Sequence, residues 1–345
     1  MKITKDPKGI TLIALAITII VLLILAGVSL NALVGQSSII NNAQKVKEDS
    51  NMAEEKEIIQ LAVAEGYLSK NKEEAIKDYL EKNGAIYSNP IVTFKATNDV
   101  FIIEKDGNIK NVKAYDSSEV EFIVNNSGAL VGININKNID VENFLIPSIA
   151  NNGKPIKSID EALNSVGGDF SAKKSSIKNL IIAEGIEKIE NDAFNNILTI
   201  EKVYLPSTLI EIGEGSFRKT KIQNIVLPNN LIAIGENCFE GCPELIKVVV
   251  PDSVTEIGAR VFKNCPKITN IIIGNGVTTI GESCFAQCPE LLTIELGSSV
   301  TTIGNSPSWD TPKLRTIYVH QARNSSTEVW ENGLFESNPE FIYDE

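Results

Sequence analysis

The side chains best equipped for chemistry are five cysteines and a single histidine, His320. Cys242, Cys265 and Cys288 recur every 23 residues, and Cys238 and Cys284 lie two such intervals apart. Thiols bind metal or act as nucleophiles as thiolates, and metal sites need several ligands converging on one point. Five is an odd number, so a complete set of intrachain disulfides is excluded. Strands of stacked repeats lie about 4.8 Å apart, within a disulfide's reach, so a bridge between neighbouring repeats stays open. Cys238 and Cys284 share their position with Ala193, Ser216 and Val261, a small buried slot. With one histidine in the chain, the expectation is buried free thiols that behave as small hydrophobes, with no metal site and no cofactor.

Carboxylates are plentiful, but none falls in a recognisable acid/base pair, and neither a nucleophile motif nor a phosphate loop is present. A net charge of −12 argues against a nucleic-acid partner, which requires clustered Lys and Arg. These features favour a scaffold or binding protein over an enzyme.

A third chemical feature is a junction. Lys2, Lys5 and Lys8 precede Gly9, and from Ile10 to Gly35 no residue is charged. About 20 apolar residues cross a bilayer as a helix, whereas a secretory h-region is only about 7–15 residues long. The expectation is a retained single-pass anchor, with the basic end cytoplasmic and the bulk of the chain outside the cell. The leader ending in Lys8-Gly9, followed by "ITLIAL", resembles the class III signal of type IV prepilins and pseudopilins. The resemblance implies cleavage between Gly9 and Ile10 by a prepilin peptidase and methylation of Ile10. Such a segment then serves as anchor and as packing helix of a filament. That family usually carries Glu at the fifth mature position; here it is Ala14.

Beyond the anchor, Ile58, Leu61, Ala62 and Leu68, then Ile76, Tyr79 and Leu80, fall at helical spacing. Asn71 and Glu74 form an N-cap pair, and Asn83-Gly84 a stop. After Pro90 the period changes: "IVTF" and the two strands around Asp106-Gly107 predict a small sheet packed on the stem helix. Asp116 to Asn138 reads as a junction.

The remainder is a repeat array. Its anchoring isoleucines, Ile189, Ile212, Ile234, Ile257, Ile280 and Ile303, are separated by 23, 22, 23, 23 and 23 residues. A degenerate earlier unit holds Ile156 and Ile159, the insertion "GGDFSAKKSS" and the strand "IKNLII". Strands are predicted at 200–205, 222–227, 245–250, 268–273, 291–296 and 314–319, with the first, fourth and sixth residues inward. Phe194, Phe217, Phe239, Phe262 and Phe285 form a buried spine. Gly213, Gly235, Gly258, Gly281 and Gly304 follow the isoleucines and suit a tight turn, while Glu190 takes that place in the first unit. Trp309 is expected as a terminal lid, and the acidic tail after His320 either completes the cap or stays loose.

The form "VTEIGARVFKNCPKITNIIIG" is similar to the BspA-like leucine-rich repeats of bacterial surface proteins, over about Ile146 to Val319. The fold class expected is therefore a transmembrane, pilin-like long α-helix with a small β region, followed by a β-rich leucine-rich-repeat solenoid. Its divisions are residues 1–9 as leader, 10–85 as transmembrane and stem helix, 86–139 as β region and junction, 140–320 as solenoid and 321–345 as cap or tail. The fifth strand residues, Tyr204, Val226, Val249, Ile272, Glu295 and Tyr318, should face outward as a candidate binding row. Two functions follow. One is a non-enzymatic cell-surface adhesion or recognition protein that binds an extracellular protein or surface. The alternative is a minor pilin or pseudopilin, partnered by other subunits of a type IV pilus or secretion system.

Overall fold

The structure, a computed structural model, describes residues 47, 50–63, 69, 71–88, 91–94, 100–103, 109–112, 115, 118–135, 139, 141–160, 174–321 and 335–344. The apolar run from Ile10 to Gly35, with Gly9, Ile10 and Ala14, lies outside them; among the described residues no helix is long and apolar enough to cross a membrane. The chain divides into two compact units, Met1–Glu57 and Ile58–Glu345. The described part of the first is helical, as part of α1 (50–63).

In the second unit α2 (Lys72–Lys82) follows Asn71, whose amide donates to Glu74 Oε2 at 2.7 Å instead of capping a backbone N–H. The helix stops where Asn83 and Gly84 N–H groups donate to Leu80 and Glu81 carbonyls and Gly84 turns to φ +83°. Ile76 and Leu80 are its buried side. It packs against β1 (Ala85–Ser88), the first strand of an antiparallel meander with β2 (Ile91–Phe94), β3 (Val100–Ile103) and β4 (Ile109–Val112). Both faces of this meander are buried. Val92, Phe94 and Phe101 lie on one, with the phenylalanine rings edge-on at 5.9 Å. Ile91, Val100, Ile102 and Val112 lie on the other, against the solenoid. The expected sheet is present, and its second face rests on the repeats.

The body is a β-solenoid of about seven coils. One wall is built from two-residue strands that end at the anchoring isoleucines: β8 (Ser158–Ile159), β10 (Lys188–Ile189), β12 (Glu211–Ile212), β13 (Ala233–Ile234), β15 (Glu256–Ile257), β17 (Thr279–Ile280) and β19 (Thr302–Ile303). They pair in parallel and in register, isoleucine beside isoleucine. The second wall holds β7 (Asn143–Ile146), β9 (Asn179–Ile182), β11 (Lys202–Tyr204), β14 (Lys247–Val250), β16 (Asn270–Ile273), β18 (Thr293–Leu296), β20 (Thr316–Val319) and β21 (Glu340–Tyr343). A single coil leaves its apolar side uncovered, and only stacking removes that side from water. One hydrophobic core consequently runs from Val120 to Phe335.

The third wall was not foreseen. Residues two before and two after each spine phenylalanine sit in the left-handed region: Asp192 and Asn196, Gly215 and Lys219, Asn237 and Gly241, Arg260 and Asn264, Ser283 and Gln287. Their N–H groups, with that of the phenylalanine between them, donate to carbonyls of the next coil, as Asn237 does to Ala259, Phe239 to Val261 and Gly241 to Lys263. A left-handed residue is unfavourable for an L-amino acid unless Gly, Asn or Asp; here the hydrogen-bond ladder holds it. The recurrence of Asn, Asp and Gly at these two positions was the available signal.

Three expectations need correction. Asp116–Asn138 is no junction: β5 (Val120–Val124) and β6 (Ala129–Ile135) form a hairpin, and β6 pairs in parallel with β8, closing the first end of the solenoid. No strand forms over 222–227; Asn224 alone bridges Lys202 and Lys247. That coil is one residue shorter between Phe217 and Ile222 than its neighbours. Trp309 is no lid, being 47% exposed, because Ser308 takes the phenylalanine position and is fully buried. The glycines after the isoleucines sit, as expected, where a side chain would clash. A Cβ on Gly235, Gly258 or Gly281 would lie 2.4–2.5 Å from a backbone nitrogen of the preceding coil, so close stacking is what demands glycine. Past His320, β21 joins the second wall in parallel beside β20.

Candidate binding face

On the second wall the side-chain period of two sends positions four and six inward, position one turns inward ahead of the strand, and all eighteen such residues of the six coils from Ile200 to Val319 are buried. The fifth positions point outward and form one in-register row: Leu145, Ile181, Tyr204, Val226, Val249, Ile272, Glu295, Tyr318 and Ile342.

The row changes character along its length. Leu145 and Ile181 are buried beneath Ile91, Val100, Ile102 and Val112 of the β1–β4 meander, and Tyr204 packs against that cluster. Tyr204 is therefore part of an internal interface, a correction to its place in a free binding row. Beyond it Val226 is 72% exposed and Val249 47%, while Ile272 and Glu295 are half-buried among their neighbours. Tyr318 and Ile342 are also exposed. Two apolar residues that sequence reasoning missed, Ile246 and Leu292, stand at the second strand position beside the row and are exposed as well. Their signal was an apolar residue directly after the buried leucine, where other coils carry Glu201, Gln223, Thr269 or Arg315.

Beside the row, charged pairs repeat coil by coil. Glu244 pairs with Lys267, and Glu290 with Lys313 at 2.7 Å, in a column of alternating charge. Asn270 donates to Thr293 beside the row. The face is thus aliphatic with charged margins. Covering a Val or Ile there is worth about 1.5–3 kcal/mol each, the chemistry of contact with another surface.

The cysteines belong to the interior. All five are free and buried. Cys242, Cys265 and Cys288 donate from Sγ to the carbonyls of Phe217, Phe239 and Phe262 in the preceding coil, at 3.3, 3.3 and 3.1 Å. Burial pushes the Cys242 thiol up to about 11 and Cys288 to about 12, and raises the others as well. His320 lies outside the core, its Nδ1 3.1 Å from Asp344. Among the described residues, no group of three or more His, Cys, Asp or Glu converges as for a metal.

The BspA type leucine-rich-repeat region model matches residues 164–266 and 210–340, six copies that together span more than half of the chain. This chain belongs to the BspA-type leucine-rich-repeat family. Solved structures of other leucine-rich-repeat proteins are similar at low identity. The leucine-rich-repeat protein of T. pallidum is 19% identical, with 66% of this chain and 100% of that chain covered, at a TM-score of 0.49. A leucine-rich-repeat protein from Bacteroides ovatus is 19% identical, covering 50% and 55%, at a TM-score of 0.35. The pneumococcal vaccine antigen PcpA is 12% identical, covering 76% and 98%, at a TM-score of 0.29. No curated protein matches. In BspA-type terms, the 23-residue period supplies the coil and the outward row is this chain's own surface on it.

Proposed function

We propose that this BspA-type chain is a non-enzymatic binding protein, held on the outside of the cell by the apolar run from Ile10 to Gly35 and contacting its partner through the outward row of the second wall. The observation that carries the reading is the run of Val226, Val249 and Ile272, aliphatic side chains in register on the outward face of the second wall. Water-exposed apolar patches of this kind are where proteins meet other surfaces, and a solenoid presents them in a line. The Lys8-Gly9-Ile10 junction supports export by the prepilin route, with Gly9 as the cleavage residue and Ile10 the methylated one.

Replacing Val249 and Ile272 together with Ser tests the contact. Adhesion of cells carrying the variant to a protein-coated surface should fall while far-ultraviolet circular dichroism and melting temperature hold. Unchanged adhesion with an intact fold would make the row structural. Deleting residues 146–345 separates this reading from a filament-subunit role: filaments should persist and adhesion should be lost. Mass spectrometry of the mature N-terminus checks the anchor, where an intact Met1 would exclude prepilin processing.

A further inference from the structure

The lysines along the second wall divide into two sets. Lys178 is held by Glu142, Lys267 by Glu244 and Lys313 by Glu290. Lys202, Lys221 and Lys247 are exposed, and none of the three forms an ion pair among the described residues. The register explains this. The residue ahead of each coil's first inward position reads Thr199, Lys221, Glu244, Lys267, Glu290 and Lys313, and each glutamate is taken by the lysine of the following coil. Lys221 precedes the first glutamate and is left over. Lys202 and Lys247 stand on either side of Asn224 at the third strand position, roughly 10 Å apart by two strand spacings. Their other neighbours in that column are Asn179 and Asn270, so the column offers neither a carboxylate.

These ammonium groups adjoin the most exposed residue of the row, Val226, with Val249 and Ile246 on the next coil. The second wall is interrupted here, because residues 222–227 contribute only the Asn224 bridge. On the opposite side Tyr204 packs against the cluster beneath β1–β4, so whatever covers Val226 abuts an interface that already exists. The carboxylates nearby are few: Glu240 belongs to Arg218 and Glu244 to Lys267, which leaves Glu201 next to Lys202. In a chain of net charge −12 this is a local excess of positive charge around an aliphatic centre. Its complement is a surface with carboxylates around an aliphatic centre.

We infer that this part of the face takes an acidic protein segment, whose aliphatic side chains cover Val226, Val249 and Ile246 and whose carboxylates meet Lys202, Lys221 and Lys247. Charge steers the partner and sets its register, while burial of the aliphatic residues holds it. Three ammonium groups alone would take any polyanion. A sulfated glycan or a lipid headgroup, however, has no aliphatic surface to lay on Val226 and Val249. The same row also shows protein as its cover, since Leu145 and Ile181 lie beneath Ile91, Val100, Ile102 and Val112. This inference rests on the contact role proposed for the row and names the chemistry of the partner.

The test titrates the full chain, in phosphatidylcholine nanodiscs, with short fluorescein-labelled peptides that alternate Glu with Val, Glu with Ser, or Lys with Val, read by fluorescence anisotropy. The Glu–Val peptide should bind, and the other two about tenfold more weakly. Its affinity should fall about tenfold in Val226→Ser with Val249→Ser, and about tenfold in Lys202→Glu with Lys221→Glu and Lys247→Glu. Circular dichroism should be unchanged in both variants. Raising NaCl from about 50 to about 500 mM should weaken binding further. The Lys–Val peptide should recover binding on the triple Lys→Glu variant. The inference is overturned if the Glu–Val peptide does not bind, or if the Glu–Ser peptide, heparin or phosphatidylglycerol vesicles bind as tightly. A dimer in sedimentation that the lysine substitutions dissociate would assign the face to a second copy instead and overturn it equally. If the peptide fails while Val249→Ser with Ile272→Ser still abolishes adhesion, the acidic partner is excluded and the contact role stands. Adhesion unchanged as well would remove both.

Discussion

Cys242 Sγ donates to the carbonyl oxygen of Phe217 at 3.3 Å, a contact between two coils at a carbonyl that also accepts from the Thr220 N–H and hydroxyl. The same contact recurs from Cys265 to Phe239 and from Cys288 to Phe262, so one residue type both fills the core and satisfies the carbonyl above it.

That arrangement fixes how stability responds to alkali. Burial raises the folded-state values, to about 11 for Cys242 and about 12 for Cys288, while an unfolded thiol titrates near 8.5. Their contribution is complete below the unfolded value and is lost as pH rises through the folded ones. The melting temperature should therefore hold up to pH ~8 and fall steadily from pH ~9 to 11, and Cys242→Ala with Cys288→Ala should flatten the decline. Ellman's reagent at pH 8 should find no reactive thiol from the repeats until denaturant is added.

Gly258→Ala should destabilise by about 1–3 kcal/mol, the usual cost of overpacking, because its Cβ would sit 2.5 Å from Glu236 N. Glu190→Ala, at the equivalent place in the first unit, should change stability by less than about 0.5 kcal/mol. Urea titration of the two variants decides it.

Phe239 is stacked between Phe217 and Phe262 at 5.7 and 5.8 Å and is wholly buried. Truncation to Ala should cost about 3–5 kcal/mol, measured as a lowered urea midpoint.

Ser308 closes this spine with a buried hydroxyl that has no hydrogen-bond partner among the described residues. An unsatisfied buried hydroxyl costs about 1–3 kcal/mol. Ser308→Ala should accordingly raise the midpoint, against the usual direction of core substitutions.

Lys267→Ala should have an effect within about 0.5 kcal/mol, since the Glu244–Lys267 pair is exposed to solvent. A salt titration of the wild-type melting temperature should be correspondingly flat.

The 23-residue spacing of Ile189 to Ile303 determined the coil by itself, because a period that long with inward isoleucines has no way to bury them except by stacking. Composition likewise determined the interior place of the cysteines, and the alternation of each strand told which residues face out. The sequence did not disclose that Lys219, Arg260 or Gln287 turn left-handed, since Lys, Arg and Gln have no such local preference and the next coil's carbonyls impose it. Nor did it disclose that Gly258 answers to Glu236. Above all, Leu145, Tyr204 and Val226 share one repeat position, and only the tertiary structure decided that β1–β4 folds back over the first two and leaves Val226 in water. Repeat patterns record contacts between neighbouring coils; a contact between the array and a sheet far upstream depends on where the chain returns, which no local period encodes.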